Sequence, residues 1–251
     1  MNVLILAGGF STRLYPLTKT SPKALLPLAG KPIVNYAVDQ LISISGLNKW
    51  ALVSNHMFAQ SFADWKEQYY PGQNIYIIDN GVRAIEERLG AVGDILFAME
   101  HTQWNEDMLV IASDTVSSLK FNAFLDFFKT HRWVTNAVYK VDDPEKIKNK
   151  LGCVIKEGNK IVDFFEKPEN PPSLLTSIPY YVFSRETLQF IREYGKDKNH
   201  SLDTPGSLIA WLVKKTTVFA YDIGAGYYFD VGTVEAYESL KRNDIFLKQS
   251  F

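Results

Sequence analysis

The chain opens on an unbroken apolar run, Asn2–Ala7, that passes straight into Gly8-Gly9. Such a run, stopped by glycines, predicts a buried strand. It has no basic flank, so it reads as core and not as a signal peptide. From 32 to 45, Ile33, Ala37, Leu41 and Ile44 recur at helical spacing, with Pro32 suited to a first turn. Runs at 50–54, 74–78 and 108–112 predict further strands, and segments at 58–69, 91–101 and 121–131 predict helices. Strand and helix therefore alternate, which argues for a parallel sheet covered on both faces.

Beyond residue 134 the texture changes. Short strands are expected at 134–141, 153–156, 161–165 and 180–183, separated by turn residues such as Glu157-Gly158-Asn159. Helices return at 185–194, 208–214 and 234–248. With no internal repeat and no long linker, the expectation is one α/β domain over 1–251. Its mostly parallel sheet is flanked by helices, and a smaller β-rich lobe comes from the second half, 134–251.

Composition removes several classes. The single cysteine, Cys153, excludes an internal disulfide framework and a cysteine metal cluster, and fits a reducing, cytoplasmic setting. It sits in an apolar run and reads as core. None of the four histidines is spaced as a metal-binding pair. No apolar run reaches the ~20 residues of a membrane span, and a net charge of −1 gives no field for nucleic acid. Neither a membrane nor a nucleic acid is thus expected as a partner.

That balance hides an asymmetry. Arg13, Lys19, Lys23 and Lys31 precede the first acid, Asp39, so residues 1–31 hold +4 and the rest −5. An exposed basic loop would account for this, and so would a site for a small polyanion. The turn after the first strand favours the second reading. Gly8-Gly9 lets backbone N–H groups point toward a ligand, and in open parallel sheets ligands bind beyond the carboxyl ends of strands. Arg13 offers a planar fork to phosphate, and Lys23 and Lys31 offer point charges. The segment is nevertheless neither G-x-G-x-x-G nor a P-loop.

The motif Leu6-Ala7-Gly8-Gly9-x-x-Thr12-Arg13-Leu14-x-Pro16-Leu17-Thr18, then Pro22-Lys23-x-Leu25-Leu26-Pro27 and Gly30-Lys31-Pro32, resembles the signature of the sugar-1-phosphate nucleotidyltransferases. This group includes glucose-1-phosphate thymidylyltransferases and mannose-1-phosphate guanylyltransferases. Later segments continue the likeness: Leu89-Gly90, Ser113-Asp114, Gly152, Glu166-Lys167-Pro168 and Asp230-Val231-Gly232-Thr233. Ser11 and Ser113 depart from it, standing where many members have a small residue or glycine.

The resemblance implies a Rossmann-like fold of the nucleotide-diphospho-sugar transferase type, with 1–133 holding the nucleotide and 134–251 the sugar phosphate. It implies that Leu6, Ala7, Gly8, Gly9, Ser11, Thr12, Arg13, Asn80, Gly81, Leu89 and Gly90 contact the NTP. Arg13 and Lys23 act as catalytic cations, Gly152, Glu166 and Lys167 hold the sugar 1-phosphate, and Asp114 and Asp230 bind Mg2+. A homo-oligomer is the family habit. The added left-handed β-helix domain of some members is not expected in 251 residues.

The implied reaction is attack of a sugar-1-phosphate oxygen on the α-phosphorus of an NTP. Two polyanions must meet, and unit charges ~4 Å apart repel by about 4 kcal/mol at an effective dielectric of 20. Cations and a metal are therefore required, whereas a general base is not, because the attacking oxygen is already ionised. Taken singly, an aspartate after a strand is more often a turn former or helix cap than a ligand, Glu166-Lys167 also reads as a solvated pair, and Asp94 reads as a helix-dipole partner and not a contact. Tyr180, Tyr181 and Trp211 read as packing or as a sugar-pocket wall. Other readings are a cytidylyltransferase acting on a phosphorylated alcohol or amino alcohol, a catalytically silent nucleotide-sugar sensor, and a glycosyltransferase. The last usually carries Asp-x-Asp, which this chain lacks.

Overall fold

In the computed structural model, which describes residues 1–247, the apolar runs become one nine-stranded sheet with helices on both faces. The first half contains β1 (Asn2–Ala7), β2 (Pro27–Leu28), β3 (Lys31–Pro32), α1 (Asn35–Ile42), β4 (Lys49–Ser54), α2 (Ala59–Tyr69), β5 (Ile75–Asp79), α3 (Gly90–Thr102), β6 (Met108–Ala112), β7 (Thr115–Ser117) and α4 (Phe121–His131). The second contains β8 (Val134–Lys140), β9 (Cys153–Glu157), β10 (Lys160–Phe165), β11 (Leu175–Phe183), α5 (Leu188–Lys196), α6 (Pro205–Lys215), β12 (Val218–Asp222), β13 (Tyr228–Asp230), α7 (Val234–Lys241) and α8 (Asp244–Leu247).

The strand order is β5-β4-β1-β6-β11-β8-β12-β10-β9. Pairings β5–β4, β4–β1, β1–β6 and β8–β12 are parallel, and those of β11 with β6 and β8 are antiparallel. Alternation along β1 shows how the core is divided. Val3 and Ile5 pack with α1, α2 and α4 on one face, and Leu4 packs with α3, α5 and α6 on the other. Both faces are therefore apolar, as central parallel strands require.

Several expectations change. The β-rich second half is the far end of the same sheet, because β11 lies between β6 and β8 and joins the two halves. Strand β12 was not anticipated from its short run, and β11 begins five residues earlier than the apolar pattern indicated. Pro32 is not in a first helical turn. Ala29 and Gly30 take left-handed backbone angles (φ 46° and 84°), which fold β2 onto β3, so α1 starts only at Asn35. The expected last helix is interrupted at Arg242–Asn243, where the Asn243 side chain accepts from the Ile245 N–H and starts α8. Its expected end at Lys248 lies outside the described residues.

Candidate active site

The carboxyl ends of β1 and β6 open onto a cleft of about 910 Å³ that also reaches residues of the second half. Its floor is the turn leaving β1: Leu6, Ala7, Gly8 and Gly9 all line it. Arg13 follows on a single 3-10 turn, Thr12–Leu14, and Lys23 on another, Lys23–Leu25. Both cations reach the cleft.

Two aspartates 116 positions apart are brought to this floor by a two-stranded sheet of three residues a side. Strands β7 and β13 pair antiparallel with Asp230 opposite Thr115, the residue after Asp114. The late Asp-Val-Gly-Thr motif is then explained residue by residue. Asp230 ends the strand, and Val231 is fully buried while its N–H donates to the Asp114 carbonyl at 3.2 Å. A Cβ at Gly232 would sit 3.1 Å from Asp230 Oδ2. Thr233 caps α7, its hydroxyl accepting from the Ala236 N–H at 3.2 Å. The helix cap is thus Thr233, which leaves the Asp230 carboxylate free for the cleft.

Lys23 forms an ion pair with Asp114. Burial opposes its charge, yet Asp114 and Asp230 outweigh that and hold the ammonium pKa above its ordinary value. Asp230 is open to the cleft but walled by protein elsewhere. This burial, followed by the Asp114 charge, pushes its pKa up to about 6 against the pull of Lys23, Arg13 and Lys167. Among the described residues no third carboxylate, histidine or cysteine joins the two aspartates to complete a protein-only metal cage.

The opposite wall comes from the second half. Glu166 is wedged between two glycines: a Cβ at Gly206 would overlap its Oε2, and one at Gly152 would stand 3.5 Å from it. Burial raises the Glu166 pKa, countered by Lys167, whose Nζ lies 3.6 Å away. Lys167 takes a left-handed backbone angle, φ 48°. Tyr139, Tyr181 and Tyr228 complete an aromatic lining between this wall and the aspartates.

The cleft therefore brings together Leu6, Ala7, Gly8, Gly9, Arg13, Lys23, Leu89, Gly90, Asp114, Gly152, Glu166, Lys167 and Asp230. Ser11, Thr12, Asn80 and Gly81 do not line it. Ser11 sits at φ 55° with its hydroxyl buried, so that side chain does not crowd the cleft. Ser113 is buried and its N–H continues the ladder to Leu6, so a serine is accommodated there as well. Lys31 lies elsewhere, paired with Asp39 at 2.6 Å over the Tyr36 ring. Trp211 packs edge-on against Tyr194, and Tyr180 is buried with its hydroxyl donating to the Thr115 carbonyl at 2.9 Å.

Sequence reasoning misplaced Asp94. The first amides of α3 are taken by backbone carbonyls of Leu202 and Asp203, so the helix end needs no acid. Asp94 instead turns inward, 5% exposed, beneath Gly8 and at the cleft wall.

A glycine turn, two cations and two carboxylates thus share one cleft with an acid–lysine pair. The nucleotidyl transferase family profile matches residues 2–245, and the chain belongs to that family. It is 30% identical over 250 residues to a Sulfolobus acidocaldarius protein provisionally named a mannose-1-phosphate guanyltransferase, covering 99% of this chain and 64% of that one. It is 32% identical over 236 residues to the Xenopus tropicalis mannose-1-phosphate guanylyltransferase catalytic subunit beta, covering 92% of this chain and 61% of that one. The chain thus spans somewhat less than two thirds of the length of these curated relatives. A UDP-glucose pyrophosphorylase solved with UDP-glucose superposes with a TM-score of 0.80 at 24% identity, over 99% of this chain and 98% of the other. The fold is accordingly a mixed α/β fold like that of the nucleotide-diphospho-sugar transferases.

Proposed function

We propose that this chain condenses a nucleoside triphosphate with a sugar 1-phosphate, giving an NDP-sugar and pyrophosphate. The observation that carries the reading is the meeting of Asp114 and Asp230 with Arg13 and Lys23 on one wall, opposite Glu166 and Lys167. Residues 1–133 would hold the nucleotide, and 134–251 the sugar phosphate. Glu166, closed in by Gly152 and Gly206, suits the hydroxyls of a sugar better than the methylenes of a phosphorylated alcohol, which sets the cytidylyltransferase reading second. Retention of both carboxylates at the floor weighs against a silent sensor.

The donor set fits a magnesium ion. Two hard carboxylates, with no further acid, histidine or cysteine beside them among the described residues, leave places for water and phosphate oxygens, which is how magnesium is commonly held. Asp114 and Asp230 would hold it, and when bound it would neutralise charge on the α-phosphate. Lys23, freed from Asp114, and Arg13 hold the triphosphate and the departing pyrophosphate. Lys167 holds the attacking phosphate against its own repulsion. Alignment and charge stabilisation then suffice, with no proton to remove. Among the described residues no helix is long and apolar enough to cross a membrane. The NTP requirement supports a cytoplasmic site of action, and the family habit supports a homo-oligomer.

The test is pyrophosphate release by the purified chain with magnesium, crossing GTP, ATP, UTP, dTTP and CTP with mannose and glucose 1-phosphates and with phosphocholine. Release that needs both an NTP and a sugar 1-phosphate supports the reading. Release with phosphocholine alone, or nucleotide binding without release in any combination, overturns it.

A further inference from the structure

Asp94 is an acid that the reaction proposed above does not use, and its surroundings are unusual. It is 5% exposed, and no cation pairs with it among the described residues. Oδ1 accepts one hydrogen bond, from Asn80 Nδ2 at 2.8 Å, and no hydrogen bond from the described residues reaches Oδ2. The Asn80 amide is itself fixed, its oxygen accepting from the Val82 N–H at 3.0 Å. Oδ2 lies so close over Gly8 that a Cβ there would stand within 2.2 Å of it. The carboxyl thus reaches the glycine turn and the cleft wall, which Leu89 and Gly90 also line.

Oδ2 opens on the cleft, where a ligand N–H can take the place of solvent as its donor. Burial pushes this acid's pKa up to about 6, which still leaves it ionised at pH 7.5. Nothing among the described residues fills Oδ2, and the cleft is the space from which a donor can come. A carboxylate accepts and does not donate, so it discriminates among bases by their Watson–Crick edges. Guanine presents two neighbouring donors, N1–H and the 2-amino group. Uracil and thymine present one N–H between two carbonyls. Adenine and cytosine set an amino group beside an unprotonated ring nitrogen, which a carboxylate repels.

We infer that Asp94, held by Asn80, is the residue that selects the nucleobase, and that it reads guanine through these two donors. The inference rests on the nucleotide reading of the cleft, but binding alone tests it, without turnover. The experiment measures binding of GTP and ITP, with ATP, UTP, dTTP and CTP, to the full chain and to its Asp94→Asn variant, alongside kcat/KM for each NTP. ITP differs from GTP only in lacking the 2-amino donor, so the unaltered protein by itself distinguishes one donor from two.

Expected are a GTP preference over ITP of about tenfold or more and over the other bases of more than that, since a hydrogen bond to a charged group is worth roughly one to two decades. In Asp94→Asn the GTP advantage should shrink to within about threefold, with the other NTPs little changed. Equal affinity for GTP and ITP, a preference for another base, or parallel loss of all NTPs in the variant would overturn it. Guanine-selective binding without any turnover would sustain this inference while defeating the proposed reaction.

Discussion

Lys23 and Asp114 are ion-paired on the cleft floor. In the reaction proposed above, the cation meant for phosphate and the carboxylate meant for the metal thus neutralise each other before substrate arrives, and substrate binding would part them.

Replacing either carboxylate by its amide should therefore remove activity and leave the fold. For Asp114→Asn or Asp230→Asn the expectation is a fall in kcat of about a thousandfold or more, the scale of losing a transition-state charge contact. The Asp230 change should not lower the melting temperature, because it relieves repulsion from Asp114. Steady-state pyrophosphate release and thermal denaturation measure the two halves of this statement, and an unfolded Asp230→Asn protein would show the carboxylate to be structural.

Lys167 is assigned above to the attacking phosphate. Lys167→Ala should raise KM for the sugar 1-phosphate roughly tenfold while KM for the NTP stays within about twofold, the signature of one lost phosphate contact. Equal changes in both constants would remove its assignment to the attacking phosphate.

Gly8 and Asp94 should be coupled energetically. A Cβ at position 8 meets the Asp94 carboxyl, so Gly8→Ala should cost about 1–3 kcal/mol, the range for overpacking. In an Asp94→Ala background that cost should fall, giving a coupling of about 0.5–3 kcal/mol by double-mutant cycle in urea. Additive effects would mean the two groups do not press on each other.

The Asp94 charge also predicts a pH dependence of stability. Its folded pKa, about 6, lies above the unfolded value, so the native state binds the extra proton between pH 4 and 6. Stability from this group is present below that window and is lost as pH rises through it, by at most roughly 3 kcal/mol. Asp94→Asn should accordingly melt several degrees higher than the parent at pH 7.5 and nearly level with it at pH 4.5. A difference independent of pH would point to packing instead of charge.

Much of this was legible in the chain. The run Asn2–Ala7 and the strands near 50–54 and 108–112 announced themselves because parallel central strands are apolar on both faces. The glycine turn and its cations were readable because they are contiguous. Other features depend on partners remote in sequence. Thr115–Ser117 and Tyr228–Asp230 are three residues each, too short for any periodicity, and each is a strand only because the other exists. The inward placement of Asp94 was hidden for a similar reason, since its position in a first helical turn says dipole until Leu202 and Asp203 are seen to occupy the helix amides.

Strand β11 joins the two halves of the sheet, bonded to β6 on one side and β8 on the other. The walls of the cleft therefore cannot swing apart as two jaws without tearing a ladder of backbone hydrogen bonds. Admission and release must be the work of the outer connections, and the Arg88–Asp203 contact that spans the rim is the first latch to watch.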